Sequence, residues 1–195
     1  MQRTARLGTL ADRHSDLTQR FILDAAFDLL SDAPAGELTM RAVAKRAGMS
    51  ERTVFRYYAS REELLDKVAE DVIRRISIPA APSTIDELIQ FPVPLYKSFE
   101  ETASLTRAFL HSELRDRIRD RPATERWKAV RRLLDEYAPR RSEQDRAFAA
   151  ANIRYFLAAT TWDYYRSYFR FSLPETIQAA QNAIRDLIRG LSGPT

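Results

Sequence analysis

Apolar residues recur three and four positions apart through most of the chain, the spacing that lines one face of a helix. Leu17, Phe21, Ile22, Ala25, Ala26, Leu29 and Leu30 predict a helix from about Leu17 to Ser31 with a wide apolar face. Asp32 to Gly36 then reads as a loop. Thr39 is a helix-start residue, and Ala42, Val43, Ala44 and Ala47 form a small apolar face that ends at Gly48. Ser50 can cap a second short helix by accepting from the backbone N–H of Arg52 or Thr53, with Met49, Val54 and Tyr58 facing inward. Ser60-Arg61-Glu62-Glu63 is a capping box. It opens a helix from Arg61 to about Ile76 whose inner stripe is Leu64, Leu65, Val68, Val72 and Ile76.

Pro79 and Pro82 cannot continue that helix, so a break and a domain boundary are expected near residue 76. Ser83 or Thr84 caps a helix from Ile85 to Gln90. Phe91-Pro92-Val93-Pro94 interrupts it, as a loop or as the border of a cavity, and Leu95 to Thr102 resumes. A helix from Ser104 to about Ile118 carries Leu105, Phe109 and Leu114, with His111 alongside as a lone histidine that reads more simply as exposed than as a ligand. The alternating charges from Arg115 to Arg121 read as a solvated helix end. Pro122 suits the first position of the next helix, with Trp127, Val130, Leu133, Leu134 and Tyr137 inside and Arg126, Lys128, Arg131 and Arg132 outside. Ser142 caps a long helix reaching about Arg170. Ser172-Leu173-Pro174-Glu175 opens the last helix, which carries Ile177, Ala180, Ile184, Leu187, Ile188 and Leu191 and ends over Gly190 to Pro194.

The expected fold is all-α, and the scarcity of strand-like alternation and of glycine (five) supports it. Three segments are expected: residues 1–15 as a flexible basic arm, 16–76 as a helix-turn-helix domain and 77–195 as a helical domain for effector binding and dimerisation. The arm holds Arg3, Arg6 and Arg13, and reads as a plain tail or as a segment reaching a minor groove.

Composition narrows the function. At 195 residues, 45% hydrophobic and 30% charged, the chain has the make-up of an ordinary globular protein. With no cysteine there is neither a disulfide framework nor a thiolate metal site, and no metal or cofactor is expected. No apolar run reaches membrane-spanning length, so a cytoplasmic protein without a membrane partner is expected.

Charge placement changes the picture more. Thr39 to Arg61 holds six basic residues (Arg41, Lys45, Arg46, Arg52, Arg56 and Arg61) against the single acid Glu51. The rest of the chain is nearly balanced, so the whole positive excess sits in one stretch. Two short helices joined by a glycine-containing turn form the helix-turn-helix layout, and a concentrated basic patch is the footprint of phosphate binding. Arg52 and Arg56 lie four apart on one face, where a guanidinium can bridge guanine O6 and N7 or clamp a phosphate. Thr53 and Tyr57 pair similarly, and Thr39 at a helix N-terminus can bind a phosphate through its hydroxyl and backbone N–H. Glu51 can accept from cytosine N4, or simply pair with Arg52 or Lys45.

From Leu38-Thr39-Met40-Arg41 through Val43-Ala44-Lys45-Arg46-Ala47-Gly48-Met49-Ser50, Thr53-Val54-Phe55-Arg56-Tyr57-Tyr58 and Ser60-Arg61-Glu62-Glu63-Leu64-Leu65, the chain resembles the tetracycline-repressor (TetR) family. The agreement covers roughly residues 21 to 65. The resemblance implies DNA contacts from Thr39, Arg41, Ser50, Glu51, Arg52, Thr53, Phe55, Tyr57 and Arg61. Phe55 stands where the family often has tyrosine, which removes a hydroxyl–phosphate bond, and Arg61 stands where lysine is usual, which turns a point charge into a fork. It also implies a homodimer through a four-helix bundle of the last two helices, consistent with alanine-rich and aromatic surface beyond what a monomer covers.

The expected function is a dimeric repressor that leaves a pseudo-palindromic double-stranded DNA operator when a small effector binds. An apolar cavity lined from Phe99, Phe109, Trp127, Tyr155, Phe156, Trp162 and Tyr165, with Asn152 or Thr160 as further polar anchors, is expected for that effector, although each of these residues also suits a plain core. Two rival classes remain open. One is a regulator without a small ligand, constitutive or answering to a protein partner. The other is a small helical enzyme using His111 with Glu113, or Glu100 with Glu101, which the lack of cysteine, of a glycine-rich phosphate loop and of HExxH, with only two histidines in all, disfavours.

Overall fold

The computed structural model describes residues 10–32, 38–119 and 122–192. The expected arm over residues 1–9, most of the loop after Asp32, and Asp120, Arg121, Gly193 and Pro194 lie outside the described residues. Among the described residues every regular element is an α-helix. The chain divides into two compact units, one up to Asp71 and one from Val72 onward.

In the first unit α1 (Leu10–Asp32) packs on α2 (Met40–Arg46), α2 packs on α3 (Glu51–Tyr57), and α4 (Arg61–Ile76) begins. Helix α1 starts at Leu10, seven residues before the expected Leu17; no proline or glycine lies between residues 10 and 32 to stop the helix propagating toward the N-terminus. Ile22, Ala26, Leu38, Val43, Val54, Leu64 and Leu65 are buried to 2% exposure or less and make the small core. Each such leucine or isoleucine contributes roughly 1.5–3 kcal/mol. Met49, expected inside with Val54 and Tyr58, is only half-buried. Gly48 adopts φ +65, the left-handed conformation that turns the chain from α2 to α3. Capping sets both short helices: Thr39 Oγ1 accepts from Ala42 N–H and Ser50 Oγ from Thr53 N–H, each at 3.1 Å. Two longer ties hold the set. Arg46 reaches Asp32 at 2.6 Å, and Arg61 Nε donates to the Leu38 carbonyl at 2.6 Å. The Ser60 box forms with one shift, since Glu63 takes the N–H of Ala59 at 2.7 Å while Ser60 caps Glu63 N–H at 3.1 Å.

The second unit holds the end of α4, then α5 (Ile85–Gln90), α6 (Pro92–Glu101), α7 (Ala103–Leu110), α8 (Leu114–Arg119), α9 (Pro122–Tyr137), α10 (Glu143–Phe156), α11 (Ala159–Ser167) and α12 (Leu173–Ser192). Helix α12 packs on α5, α6, α10 and α11 through the buried stripe Thr176, Ala180, Ile184, Ile188 and Leu191. Thr84 rather than Ser83 caps α5, and only Phe91 separates α5 from α6, because Pro92 sits well at a helix start.

Three expected helices differ. The helix expected from Ser104 to Ile118 is two, because Ser112 breaks it: its Oγ donates to the Phe109 carbonyl at 3.0 Å and accepts from Leu114 N–H at 3.2 Å. The long helix expected from Ser142 to Arg170 breaks at Leu157 and Ala158, with Ala158 in an extended conformation at ψ 146. No proline or glycine marks that break. It is held by partners for the carbonyls it frees, Tyr96 Oη donating to Phe156 O and Thr161 Oγ1 to Tyr155 O at 2.5 Å. The last helix runs past Gly190 to Ser192. There Leu191 is buried, and Arg141 donates to the terminal carbonyls of Leu191 and Gly190 at 2.9 and 3.1 Å.

Helix α4 ends in a left-handed residue, Ser77 (φ 55). Ser98 of α6, itself buried, donates its hydroxyl to the Ile76 carbonyl, which fixes that helix end against the second unit's core. Farther along the same core, Glu100, Trp162 and Arg166 interlock, and Phe99 packs on Tyr96 and Trp162 with ring centroids 6.1 and 5.9 Å apart.

Candidate functional site

The outer surface of α2 and α3 gathers the sequence-predicted residues. Val54 and Tyr58 turn inward and leave Ser50, Glu51, Arg52, Phe55 and Arg56 exposed, with Thr53 and Tyr57 half-exposed beside them. Phe55 keeps 47% exposure, so it is not part of the packing. Its ring sits on a charged helix surface, where it offers an apolar contact of the kind a thymine methyl accepts. Arg52 projects from the same helix without any ion pair among the described residues. Arg56 lies over the Tyr57 ring, its Cζ 5.1 Å from the centroid, an arrangement that holds the guanidinium in place. The neighbouring Thr18 hydroxyl chiefly, then Arg56, lowers the Tyr57 phenol from its ordinary pKa.

The acid in this patch pairs differently from expectation. Glu51 approaches Arg41 on α2 at 3.9 Å, and neither Arg52 nor Lys45 is its partner. Both groups are largely exposed, so the pair is weak. Arg61 is half-buried, and its bond to Leu38 makes it a structural tie between α4 and the start of α2 as well as a positive charge at that edge. Thr39 is exposed at the N-terminus of α2, its hydroxyl already accepting from Ala42 N–H.

A separate site lies wholly within the second unit. It is a cavity of 420 Å³, in the size range of small-molecule sites. Of the residues expected to form a pocket, Phe99, Phe109, Tyr155 and Thr160 line it. Trp162 is fully buried behind Phe99, donating Nε1–H to Glu100 at 3.1 Å. Trp127 lies on an open trough along one side of α9, and Asn152 is exposed in a shallow depression beside Arg141 and Phe148. Phe156 and Tyr165 are half-buried outside the lining. Sequence reasoning missed Arg115, Arg126 and Arg154, which also line the cavity. Arg126 was expected on the outside of its helix with Lys128. It stands four residues before Val130 and seven before Leu133, on the buried stripe, so helical spacing carried a signal for it. Among the described residues no group of three histidine, aspartate or glutamate side chains could hold a metal ion.

Comparison with known proteins agrees with this geometry. Residues 22–68 match the family model described as bacterial regulatory proteins, tetR family. An uncharacterised HTH-type transcriptional regulator of Mycobacterium tuberculosis is 28% identical over 92 residues, which are 47% of this chain and 41% of that protein. The match therefore spans about two-fifths of the curated relative's length. Among solved structures, a TetR-like transcriptional regulator from Rhodococcus sp. RHA1 is similar over 97% of this chain and 100% of its own, with a TM-score of 0.65 and 17% identity. NalD, the secondary repressor of the MexAB-OprM multidrug efflux pump in Pseudomonas aeruginosa, is similar over 91% of this chain and 96% of its own, with a TM-score of 0.57 and 16% identity. At these identities the structures show a shared fold. The matched segment covers the second half of α1, α2, α3 and the first half of α4, and over this helix-turn-helix DNA-binding region the chain is similar to the tetR family of bacterial regulatory proteins.

Proposed function

We propose that the chain is a homodimeric transcription repressor that reads a pseudo-palindromic operator with α3 and leaves it when a small effector fills the second unit's cavity. The observation that carries the reading is the α3 surface. Arg52 and Arg56 project from a short helix whose angle is set by buried Val54 and by its Ser50 cap. A rigid helix that presents arginines is what base readout in a major groove needs. Thr39, Arg41, Ser50, Thr53, Tyr57 and Arg61 flank them as phosphate contacts, and Glu51 orients Arg41.

The dimer follows from what α10 and α11 leave uncovered. Phe148, Tyr155, Tyr164, Tyr168 and Phe169 are 48–69% exposed, more aromatic surface than a monomer ordinarily shows water. Pairing through these last helices covers them and presents two α3 helices to two half-sites. Helix α4 supplies the link in the chain, since it continues across the division of the two units and Ile73 and Ile76 near its C-terminal end line the cavity. A ligand that alters the α4 end shifts the population of DNA-competent dimers, and by linkage operator DNA weakens that ligand by the same factor. No helix among the described residues is long and apolar enough to cross a membrane.

The test is release of labelled operator. A panel of small metabolites is scored for a rise in melting temperature, and each hit is then added to the protein–operator complex. Hits that dissociate the complex support the reading. Hits that stabilise the protein and leave the complex intact favour a regulator that answers to a protein partner or acts constitutively.

A further inference from the structure

The second unit's cavity holds positive charge that no carboxylate among the described residues compensates. Arg115, Arg126 and Arg154 all line it, and among the described residues no aspartate or glutamate does. Among the described residues none of the three guanidinium groups makes an ion pair or a hydrogen bond. Three half-buried arginines elsewhere in this unit are matched to carboxylates: Arg107 to Asp163 at 2.8 Å, Arg146 to Asp135 at 2.7 Å and Arg166 to Glu100 at 2.6 Å.

Arg126 and Arg154 are half-buried. Burial first, and the like charge of Arg154 second, lower the pKa of Arg126 from its ordinary value. A guanidinium does not give up its proton in a protein, so the two groups cannot relieve their repulsion by titrating. A bound anion relieves it. The remainder of the wall is mostly apolar and includes Ile76, Phe99, Phe109, Leu110 and Leu157, while the Thr160 hydroxyl adds a donor.

We infer that the cavity binds an amphipathic anion, with a carboxylate or phosphate head held by Arg126 and Arg154 and an apolar body lying against Ile76, Phe99, Phe109 and Leu157. This rests on the reading of the cavity as an effector site and names the chemical class that the site accepts. A neutral apolar ligand of the same length would dry the cavity while leaving two charges unpaired, which costs binding energy. An anion gains charge-assisted, fork-shaped hydrogen bonds in the same place. Arg115 is exposed at the rim, where it draws an anion in without being desolvated.

The test uses three probes with the same apolar tail: decanoate, decyl phosphate and decanol, with inorganic phosphate as the tail-free control. Calorimetry and thermal melting are recorded for the full chain and for Arg126→Gln and Arg154→Gln. The expected result is that at least one tailed anion binds and raises the melting temperature, while decanol and inorganic phosphate do not. Which anion binds more tightly distinguishes a carboxylate from a phosphate head. Each glutamine variant weakens anion binding by about tenfold or more, the loss of a charge-assisted hydrogen bond. Ligand-free variants melt no lower than the parent, because no ion pair is removed. Failure of both tailed anions to bind, equal binding of decanol, or a large fall in the ligand-free melting temperature overturns the inference. Operator release is scored separately. An anion that binds through Arg126 and Arg154 without releasing DNA supports the inference and counts against the effector reading. Release by decanol alone overturns the inference and keeps the effector reading.

Discussion

Arg166 grips Glu100 with two nitrogens, Nη2 at 2.6 Å from Oε1 and Nε at 3.0 Å from Oε2, and so fastens α11 to α6. Trp162 Nε1–H donates to the same carboxylate at 3.1 Å. The Arg166 guanidinium chiefly, with help from Trp162 and Arg107, holds the Glu100 carboxyl below its usual pKa against an opposing effect of burial. A carboxylate whose folded pKa is lowered contributes stability in full above its unfolded value of about 4.3. That contribution is lost as the pH falls below that value and through the lower folded one. Glu100→Gln is therefore expected to cost about 1.5–3 kcal/mol at neutral pH, on the scale of hydrogen bonds to charged groups. Urea denaturation should show the gap between parent and variant closing below about pH 4. A gap that stays constant down to pH 2 removes the ion pair as its cause.

Thr176 presents the opposite case. Its side chain is fully buried on α12, and its Oγ1 has no hydrogen-bond partner. Replacing a buried hydroxyl that bonds to nothing by a methyl group of nearly the same shape removes a desolvation cost. Thr176→Val is expected to raise unfolding stability by about 1–2 kcal/mol. A fall in stability would mean that the hydroxyl has a partner, such as a buried water.

At the proposed DNA-reading surface, Arg52→Ala and Arg56→Ala are expected to cost about 1–3 kcal/mol on the specific site and to relax base preference there. Arg41→Ala is expected to weaken binding to all sequences evenly and to flatten the salt dependence. Binding of each variant to a library of single-base operator variants separates the two behaviours. Equal losses across all sequences for Arg52→Ala and Arg56→Ala would make them phosphate contacts.

The exposed aromatics predict the assembly. Phe148→Glu combined with Tyr168→Glu places carboxylates where a partner subunit is expected to close. Both side chains are exposed, at 59% and 69%, so the fold should survive and helical circular dichroism should be unchanged. Sedimentation is expected to show a dimer for the parent and a monomer for the variant at micromolar concentration. A parent that is already monomeric sinks the dimer reading.

Local chemistry made the first unit legible. Thr39, Gly48 and Ser50 each act over three or four residues, and a short helix has few ways to orient once its cap and its buried valine are given. Helix α4 lies over the residues its apolar stripe predicted, and so does α9. The second unit was harder to read because its decisive partners are distant in sequence. The break between α10 and α11 depends on Tyr96, sixty residues upstream of the Phe156 carbonyl it serves. No local pattern reports such a contact. Arg126 shows the other limit: its position on the inward stripe was readable, but charge outweighed spacing in deciding where it pointed. The aromatics divided between core and cavity for the same reason, since Trp162 and Phe99 have the same helical signature and only packing separates them.

The central claim is tested most directly by mapping where the full chain protects DNA upstream of its own coding region. A dimer that reads with two α3 helices is expected to protect two half-sites related by a two-fold axis, with centres one or more helical turns of about 34 Å apart. The same region should lose its protection with Arg52→Ala. Protection of a single asymmetric site, or binding that ignores sequence and persists unchanged in Arg52→Ala, would contradict the account.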